Sequence, residues 1–218
     1  MNTNEQFVIT INRELGSGGR TVGRKLAEKL GVDFYDKALI KALEEKYHLT
    51  VEEIERLKGR KHNWWADFKR IIALGPAAND QHYYKVAAGE LPDLLTTDEM
   101  FEAEQEILLG IAQNESCVIA GRSGFYVFRE HPNHLNVLIQ APMEQRLTRV
   151  MVKQEVFRDE AQEIIKKVDT MRENYINKYT DSSRYDTRNY DLVINMAGIT
   201  EDQAVELIMS YIKMMNSK

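Results

Sequence analysis

The chain has 218 residues, a formal net charge of −5 and a sequence pI near 5.6. This length suits one α/β domain with a small insertion, and the acidic balance gives no overall attraction to nucleic acid, so we expect no such partner. The single cysteine, Cys117, excludes a disulfide within the chain and is expected to be a buried small hydrophobe. Residues 1–6 lack a charged and apolar leader and no apolar run could span a bilayer, so we expect a cytoplasmic protein without membrane contact.

The predicted elements alternate between strands and helices along the chain. An apolar, β-prone run at 7–11 is followed by a glycine-rich turn and by an amphipathic helix at 21–30, which Gly31 ends. Further strands are predicted at 32–35, Cys117–Ala120, 135–140 and Leu192–Asn195, and helices at 37–47, from Thr50, at 97–114, 142–155 and 159–178, and from Thr200. This alternation predicts a parallel sheet covered by helices on both faces, with ligands at the carboxyl ends of the strands.

The turn after the first strand has the composition of a phosphate-binding loop. Its glycines allow the backbone to approach an anion, and the following helix aims N–H groups at it. The pattern G-x-x-x-x-G-K-[ST] covers residues 14–21, with Glu14 in place of the first glycine and Arg20 in place of the lysine. We predict that ATP phosphates bind this loop, with Arg20 near the β and γ phosphates and Thr21 on Mg²⁺. The predicted binding residues are Gly16, Ser17, Gly18, Gly19, Arg20 and Thr21. The alternative is a surface turn between a strand and a helix.

Periodicity fades after the second predicted strand and its helices. We interpret residues 59–95 as an insertion of short helices within a single domain whose core is 1–58 and 96–218. Four aromatic residues there could stack on a nucleobase, although such residues more often pack an insertion's own core or a subunit contact, so a homodimer is possible. They are Trp64, Trp65, Tyr83 and Tyr84.

Cationic residues follow the third strand and crowd the last third of the chain. Arg122 leaves the third strand at the same sheet edge as the phosphate loop, where it could bind a second phosphate or form a salt bridge across a loop. Arginines from 146 to 188 suggest a lid, placed at about 156–190, that closes on transferring phosphates. Arg146 with Arg149, and Asp169 with Arg172, would share helix faces. The alternative is a solvated helix with i,i+3 ion pairs.

The histidines show no spacing typical of a metal site. They are His48, His62, His82, His131 and His134, and we expect them on the surface or in loops.

Together, four motifs resemble the cytidylate kinase-like family of P-loop nucleoside monophosphate kinases. They are ITINRELGSGGR at 9–20, FYDK at 34–37, VIAGRSG at 118–124 and NYDLVIN at 189–195. The resemblance implies a three-layer P-loop NTPase fold with a helical, acceptor-binding insertion and an arginine-rich lid. It also implies that Asp36, Arg122 and Asp169 with Arg172 contact the acceptor's sugar and phosphate, with Lys41 near the position of a further family arginine. Ser123 stands where an aspartate is usual.

These features predict an ATP- and Mg²⁺-dependent phosphotransferase acting on a nucleoside monophosphate, with CMP or dCMP as the first candidate acceptor. Arg20, Arg172, Arg184 and Arg188 are the predicted catalytic cations, which would spread the charge of the transferred group. Two alternatives remain open. One is a nucleotide-binding regulatory protein with little turnover, suggested by Arg20, and the other is a kinase of another small molecule, suggested by the insertion.

Overall fold

A computed structural model describes residues 1–36, 98–121 and 123–216 of the chain. The chain divides into two compact units, one formed by Met1–Asp36 with Ser116–Lys218 and the other by Lys37–Glu115. The second unit contains the predicted insertion at 59–95 and extends beyond it along the sequence in both directions. That insertion and the helices predicted between residues 37 and 58 lie outside the described residues, as do Lys41 and Arg122.

The first unit is built on a five-stranded parallel sheet with the order β2-β3-β1-β4-β5. Its strands are β1 (Val8–Arg13), β2 (Asp33–Asp36), β3 (Cys117–Ala120), β4 (His134–Gln140) and β5 (Leu192–Asn195). The central strand β1 is buried along its whole length, as expected for a parallel strand covered on both faces. The predicted parallel sheet is confirmed, and β3 and β5 have the predicted bounds.

Helices connect the strands of the first unit. They are α1 (Gly19–Leu30), α3 (Gly124–Val127), α4 (Met143–Gln154), α5 (Arg158–Thr180), a 3-10 turn (Thr187–Asn189) and α6 (Glu201–Asn216), and α2 (Asp98–Asn114) belongs to the second unit. Two predicted helix boundaries are confirmed in detail. Gly31 ends α1 in the left-handed region at φ 69°, and the Oγ1 of Thr200 accepts the N–H of Gln203 at the start of α6. Sequence analysis missed α3.

The hydrophobic core of the first unit lies between the sheet, α1 and α6. Alternate residues of β1 and β4 point into it, and α1 and α6 contribute residues spaced three or four apart. Its members include Ile9, Ile11, Val22, Leu26, Val137, Ile139, Val205 and Ile208. Each such side chain contributes about 2 kcal/mol through burial, so the core holds the carboxyl end of β1 rigidly in place. Cys117 is fully buried, as predicted.

The opposite face of the sheet carries polar residues, and this corrects the prediction for His134. His134 begins β4 and hydrogen-bonds through Nε2 with the Oγ1 of Thr10 at 2.8 Å, and that hydroxyl donates to Asn136 at 2.6 Å. Burial lowers the pKa of His134 to about 4. The alternation of side chains in β4 indicates that His134 and Asn136 lie on the face opposite the apolar core. It does not indicate that α3 covers this face. α3 packs closely there, since a Cβ at Gly124 would lie only 2.6 Å from Thr10.

Candidate active site

The phosphate loop runs from the carboxyl end of β1 to the first turn of α1. Gly16 and Gly18 have φ angles of 80° and 86°, in the left-handed region that favours glycine. A Cβ at Gly16 would lie 2.7 Å from the carbonyl oxygen of Arg146, and one at Gly19 would lie 2.6 Å from the Cβ of Arg13. Backbone conformation and close packing therefore both require glycine in this loop.

The first turn of α1 presents the donor set of an anion site. The first hydrogen bond of the helical i to i−4 pattern runs from Val22 N to Gly18 O at 3.0 Å, so the N–H groups of residues 19–21 precede it. Ser17 stiffens the turn, because its Oγ donates to the carbonyl of Glu14 at 2.9 Å. Together with the positive end of the helix dipole, these N–H groups fit a phosphate. Thr21 lies in the same turn, and its contact with Mg²⁺ stays a prediction.

Glu14, which replaces the first glycine of the loop pattern, has a structural role. Its Oε2 accepts the N–H of Ala141 at 3.2 Å, and its Oε1 lies 3.4 Å from an Nη of Arg146. The loop is thereby connected to the end of β4 and to α4. Glutamate in place of the first glycine therefore stabilises the start of the loop through these two contacts, and the glycines at 16, 18 and 19 are unaffected.

Arg20, which replaces the P-loop lysine, contacts Asp36 at the end of β2. Its Nε donates to the Asp36 Oδ2 at 2.6 Å, and the two side chains are 12% and 3% exposed. The structure therefore brings together a residue predicted to bind the donor and one predicted to bind the acceptor. Neither nucleotide contact is tested by this geometry.

Asp169 connects the predicted lid to the phosphate loop. Its Oδ1 accepts the N–H of Leu15 at 3.1 Å, and its Oδ2 accepts a hydrogen bond from Arg146. Arg172 and Arg184 place guanidinium nitrogens 3.6 and 3.5 Å from the same Oδ1. Asp169 thus orients arginines from α4, from α5 and from the segment after α5, and its predicted contact with the acceptor stays a prediction.

Arg172 and Arg184 converge on the last residue of β1. Both guanidinium groups donate to the carbonyl oxygen of Arg13, Arg172 at 3.3 Å. The Arg184 side chain is fully buried, and desolvation followed by repulsion from Arg172 lowers the pKa of Arg184. In this cluster the guanidinium groups of Arg146, Arg172 and Arg184 surround the carboxylate of Asp169, and Arg146 also lies close to Glu14. Arginines that share one carboxylate would attract an anion bound beside them.

Tyr190 and Asn12 position Arg184, and sequence analysis assigned neither a role. The Tyr190 hydroxyl donates to the carbonyl of Arg184 at 2.7 Å and accepts a hydrogen bond from the side-chain amide of Asn12. Burial raises the pKa of Tyr190 to about 12, so the hydroxyl stays protonated and can donate. Tyr190 lies in the motif NYDLVIN, which sequence analysis singled out. A tyrosine just before a strand is too common to indicate that its hydroxyl binds the backbone of Arg184.

The structure does not bring Arg188 into the arginine cluster. Its side chain is 89% exposed and pairs with Asp186 at 2.7 Å. The predicted lid therefore contains two docked arginines, Arg172 and Arg184, and two exposed ones, Arg158 and Arg188. The catalytic role of Arg188 stays a prediction.

Arg149 packs against the phosphate loop at Gly18. It pairs with Glu201 of α6, and its Nη2 would lie 3.1 Å from a Cβ at Gly18. Arg146 and Arg149, expected to share one face of α4, therefore bind different carboxylates. In residues 1–36, 98–121 and 123–216, no cluster of three or more His, Cys, Asp or Glu could hold a metal, and no helix has the length and apolar character to span a membrane.

A model of the cytidylate kinase-like family matches residues 8–198. The chain belongs to this family. A cytidylate kinase of Saccharolobus islandicus strain Y.G.57.14 is 22% identical over 156 residues, covering 64% of this chain and 82% of that protein. A second, from strain L.S.2.15, is 23% identical over 152 residues, 62% of this chain and 80% of the relative. The predicted resemblance is confirmed, and family membership assigns the chain to the nucleotide-binding kinases.

Two solved structures share the fold. An uncharacterized protein of Eubacterium ventriosum superposes with a TM-score of 0.61 at 25% identity, covering 95% of this chain and 99% of the other. The shikimate kinase of Bacteroides thetaiotaomicron gives a TM-score of 0.52 at 16% identity, covering 95% and 98%. The second likeness confirms the predicted P-loop kinase fold.

Proposed function

We propose that this protein transfers the γ-phosphate of Mg²⁺-ATP to a nucleoside monophosphate, with CMP or dCMP as the first candidate. The observation that carries the proposal is the meeting of Arg172 and Arg184 on the carbonyl of Arg13, directly before the glycine-rich loop. Membership of the cytidylate kinase-like family and the two cytidylate kinase relatives support the choice of acceptor.

The donor side of the reaction uses the loop and the first turn of α1. The N–H groups of residues 19–21 would bind the phosphates, and the Thr21 hydroxyl with water would hold Mg²⁺, which neutralises phosphate charge when bound. Phosphoryl transfer needs little covalent help from the protein, so positioning and electrostatics decide the rate. A rigid loop between β1 and α1 supplies the positioning.

The charge that develops on the transferred group would be stabilised by Arg172, whose side chain is 22% exposed, with the fully buried Arg184 adding positive charge behind it. Asp169 and the Arg13 carbonyl hold both guanidinium groups in place, so phosphoryl transfer would require little reorganisation of them. An arginine in this role contributes about 10³-fold or more to the rate. The acceptor would bind at Asp36, at the end of β2; the contacts predicted for Arg122 and Lys41 fall outside the described residues.

The test is diphosphate formation from Mg²⁺-ATP with CMP, dCMP, UMP, AMP and GMP. We expect selective turnover of CMP or dCMP, and a loss of about 10³-fold in kcat for Arg172→Ala. Arg158→Ala is the matched control, because Arg158 lies on the same helix but forms an exposed ion pair with Glu144. It should leave turnover unchanged.

Three results would contradict the proposal or the mechanism given for it. Tight ATP binding in calorimetry without transfer to any monophosphate would favour the nucleotide-binding regulatory protein. Transfer to another small molecule in a metabolite screen would favour a kinase with a different acceptor. Equal turnover in Arg172→Ala and the unmodified protein would show that the cluster on Arg13 does not take part in the chemistry.

A further inference from the structure

The ion pair between Arg20 and Asp36 divides the cations of this site into two groups. Arg20 lies in the first turn of α1, yet it contacts the end of β2, where Asp36 is the register partner of Ala120 in β3. Arg172 and Arg184 instead contact the end of β1. The residue in the position of the P-loop lysine is therefore held on the acceptor side of the sheet.

Burial and geometry make this contact specific. The Asp36 side chain is 3% exposed, and the Nε to Oδ2 distance of 2.6 Å is that of a strong charge-assisted hydrogen bond. Arginine presents a planar set of donors that fixes the orientation of a carboxylate, whereas lysine is a shorter point charge. An arginine at this position of the loop pattern therefore suits the contact with Asp36 better than a lysine would.

We propose that Arg20 is a positioning residue for the acceptor, acting through Asp36, and not the cation that binds the donor phosphates. Arg20 holds the Asp36 carboxylate in the orientation that accepts hydrogen bonds from the sugar hydroxyls of the monophosphate. The donor phosphates are bound by the loop N–H groups, with Arg172 and Arg184 supplying positive charge. This inference rests on the proposed function, since it requires a nucleotide acceptor.

The test compares Arg20→Lys, Asp36→Asn and the double variant, using the best acceptor among the five monophosphates. Arg20→Lys should raise the KM for the acceptor about tenfold, and calorimetry should show the affinity for AMP-PNP with Mg²⁺ changed by less than about threefold. Asp36→Asn should have a similar effect, and the double variant should be no worse than the poorer single variant. Lys25→Arg is the control, because Lys25 lies on the same helix but forms an exposed ion pair with Asp202, and it should match the unmodified protein.

Two kinds of result overturn the inference and leave the proposed function standing. One is a loss of AMP-PNP affinity in Arg20→Lys that exceeds the rise in acceptor KM, since this is the behaviour of a donor-phosphate residue. The other is an additive effect, about a hundredfold in the double variant, which would show that the two residues act independently. An unmodified protein that binds AMP-PNP but neither binds nor phosphorylates any monophosphate overturns both proposals.

Discussion

Replacing Asp169 with asparagine should destabilise the fold through the arginine cluster. The side chain keeps its shape and can still accept the N–H of Leu15, but the charge that faces Arg146 and Arg184 is lost. Those two guanidinium groups are 6% and 0% exposed, so little water can replace the carboxylate. Removing one partner of a buried ion pair costs about 3 to 5 kcal/mol, and we expect about 3 kcal/mol because the Leu15 contact survives.

Urea denaturation of the full chain, followed by circular dichroism, measures this change in the free energy of unfolding. Asp159→Asn is the matched control, because Asp159 is exposed in the first turn of the same helix and should contribute about 0.5 kcal/mol. A loss below about 1 kcal/mol for Asp169→Asn would refute the reasoning, since a buried carboxylate that supports two buried arginines cannot be that weak.

Three further changes test the loop, the hydroxyl behind Arg184 and the polar face of the sheet. Gly16→Ala forces a Cβ to 2.7 Å from the Arg146 carbonyl at φ 80°, so it should cost at least about 1 kcal/mol of stability and weaken AMP-PNP binding in calorimetry. Tyr190→Phe removes the hydroxyl that holds the Arg184 backbone, so it should cost about 1 to 2 kcal/mol in urea denaturation and lower kcat more than it raises the KM for ATP; unchanged stability would contradict the contact. The pKa of His134 falls to about 4 in the folded protein from 6.5, so between these pH values the unfolded chain binds the extra proton, and stability should fall by about 3 kcal/mol from pH 7 to pH 4. This fall should be smaller in His134→Leu, measured by denaturation at each pH, and an equal fall would exclude His134 as its source.

Sequence patterns predicted the sheet and the loop because both depend on local signals. Apolar runs indicate buried parallel strands, and glycines at positions 16, 18 and 19 indicate a backbone that must approach something closely. The bounds of α5 were predicted to within about two residues, because its first turn is acidic and its pattern is long.

The contact between Asp169 and Arg172 follows the predicted i,i+3 spacing, but the other arginine contacts of this cluster could not be predicted because they join residues far apart in the chain. The contact between Leu15 and Asp169 spans 154 positions, and no local pattern fixes which of several arginines reaches that carboxylate. The pattern match assigned Arg20 to the phosphates from its position alone. Its direction depends on the packing of α1 across β2 and β3, which a pattern in the loop does not describe.

The strand order separates Arg20, which contacts the end of β2, from Arg172 and Arg184, which contact the end of β1. Because β3 lies between β2 and β1, the turn after β3 separates the Arg20–Asp36 pair from the arginines on Arg13. Gly121 occupies that turn in the left-handed region at φ 84°, and a Cβ there would clash with an Nη of Arg13. The Arg13 guanidinium thus reaches across the end of β3, between the two proposed nucleotide sites. A phosphoryl group that passes from donor to acceptor would pass close to the positive charge of Arg13, which would stabilise the charge that develops during transfer.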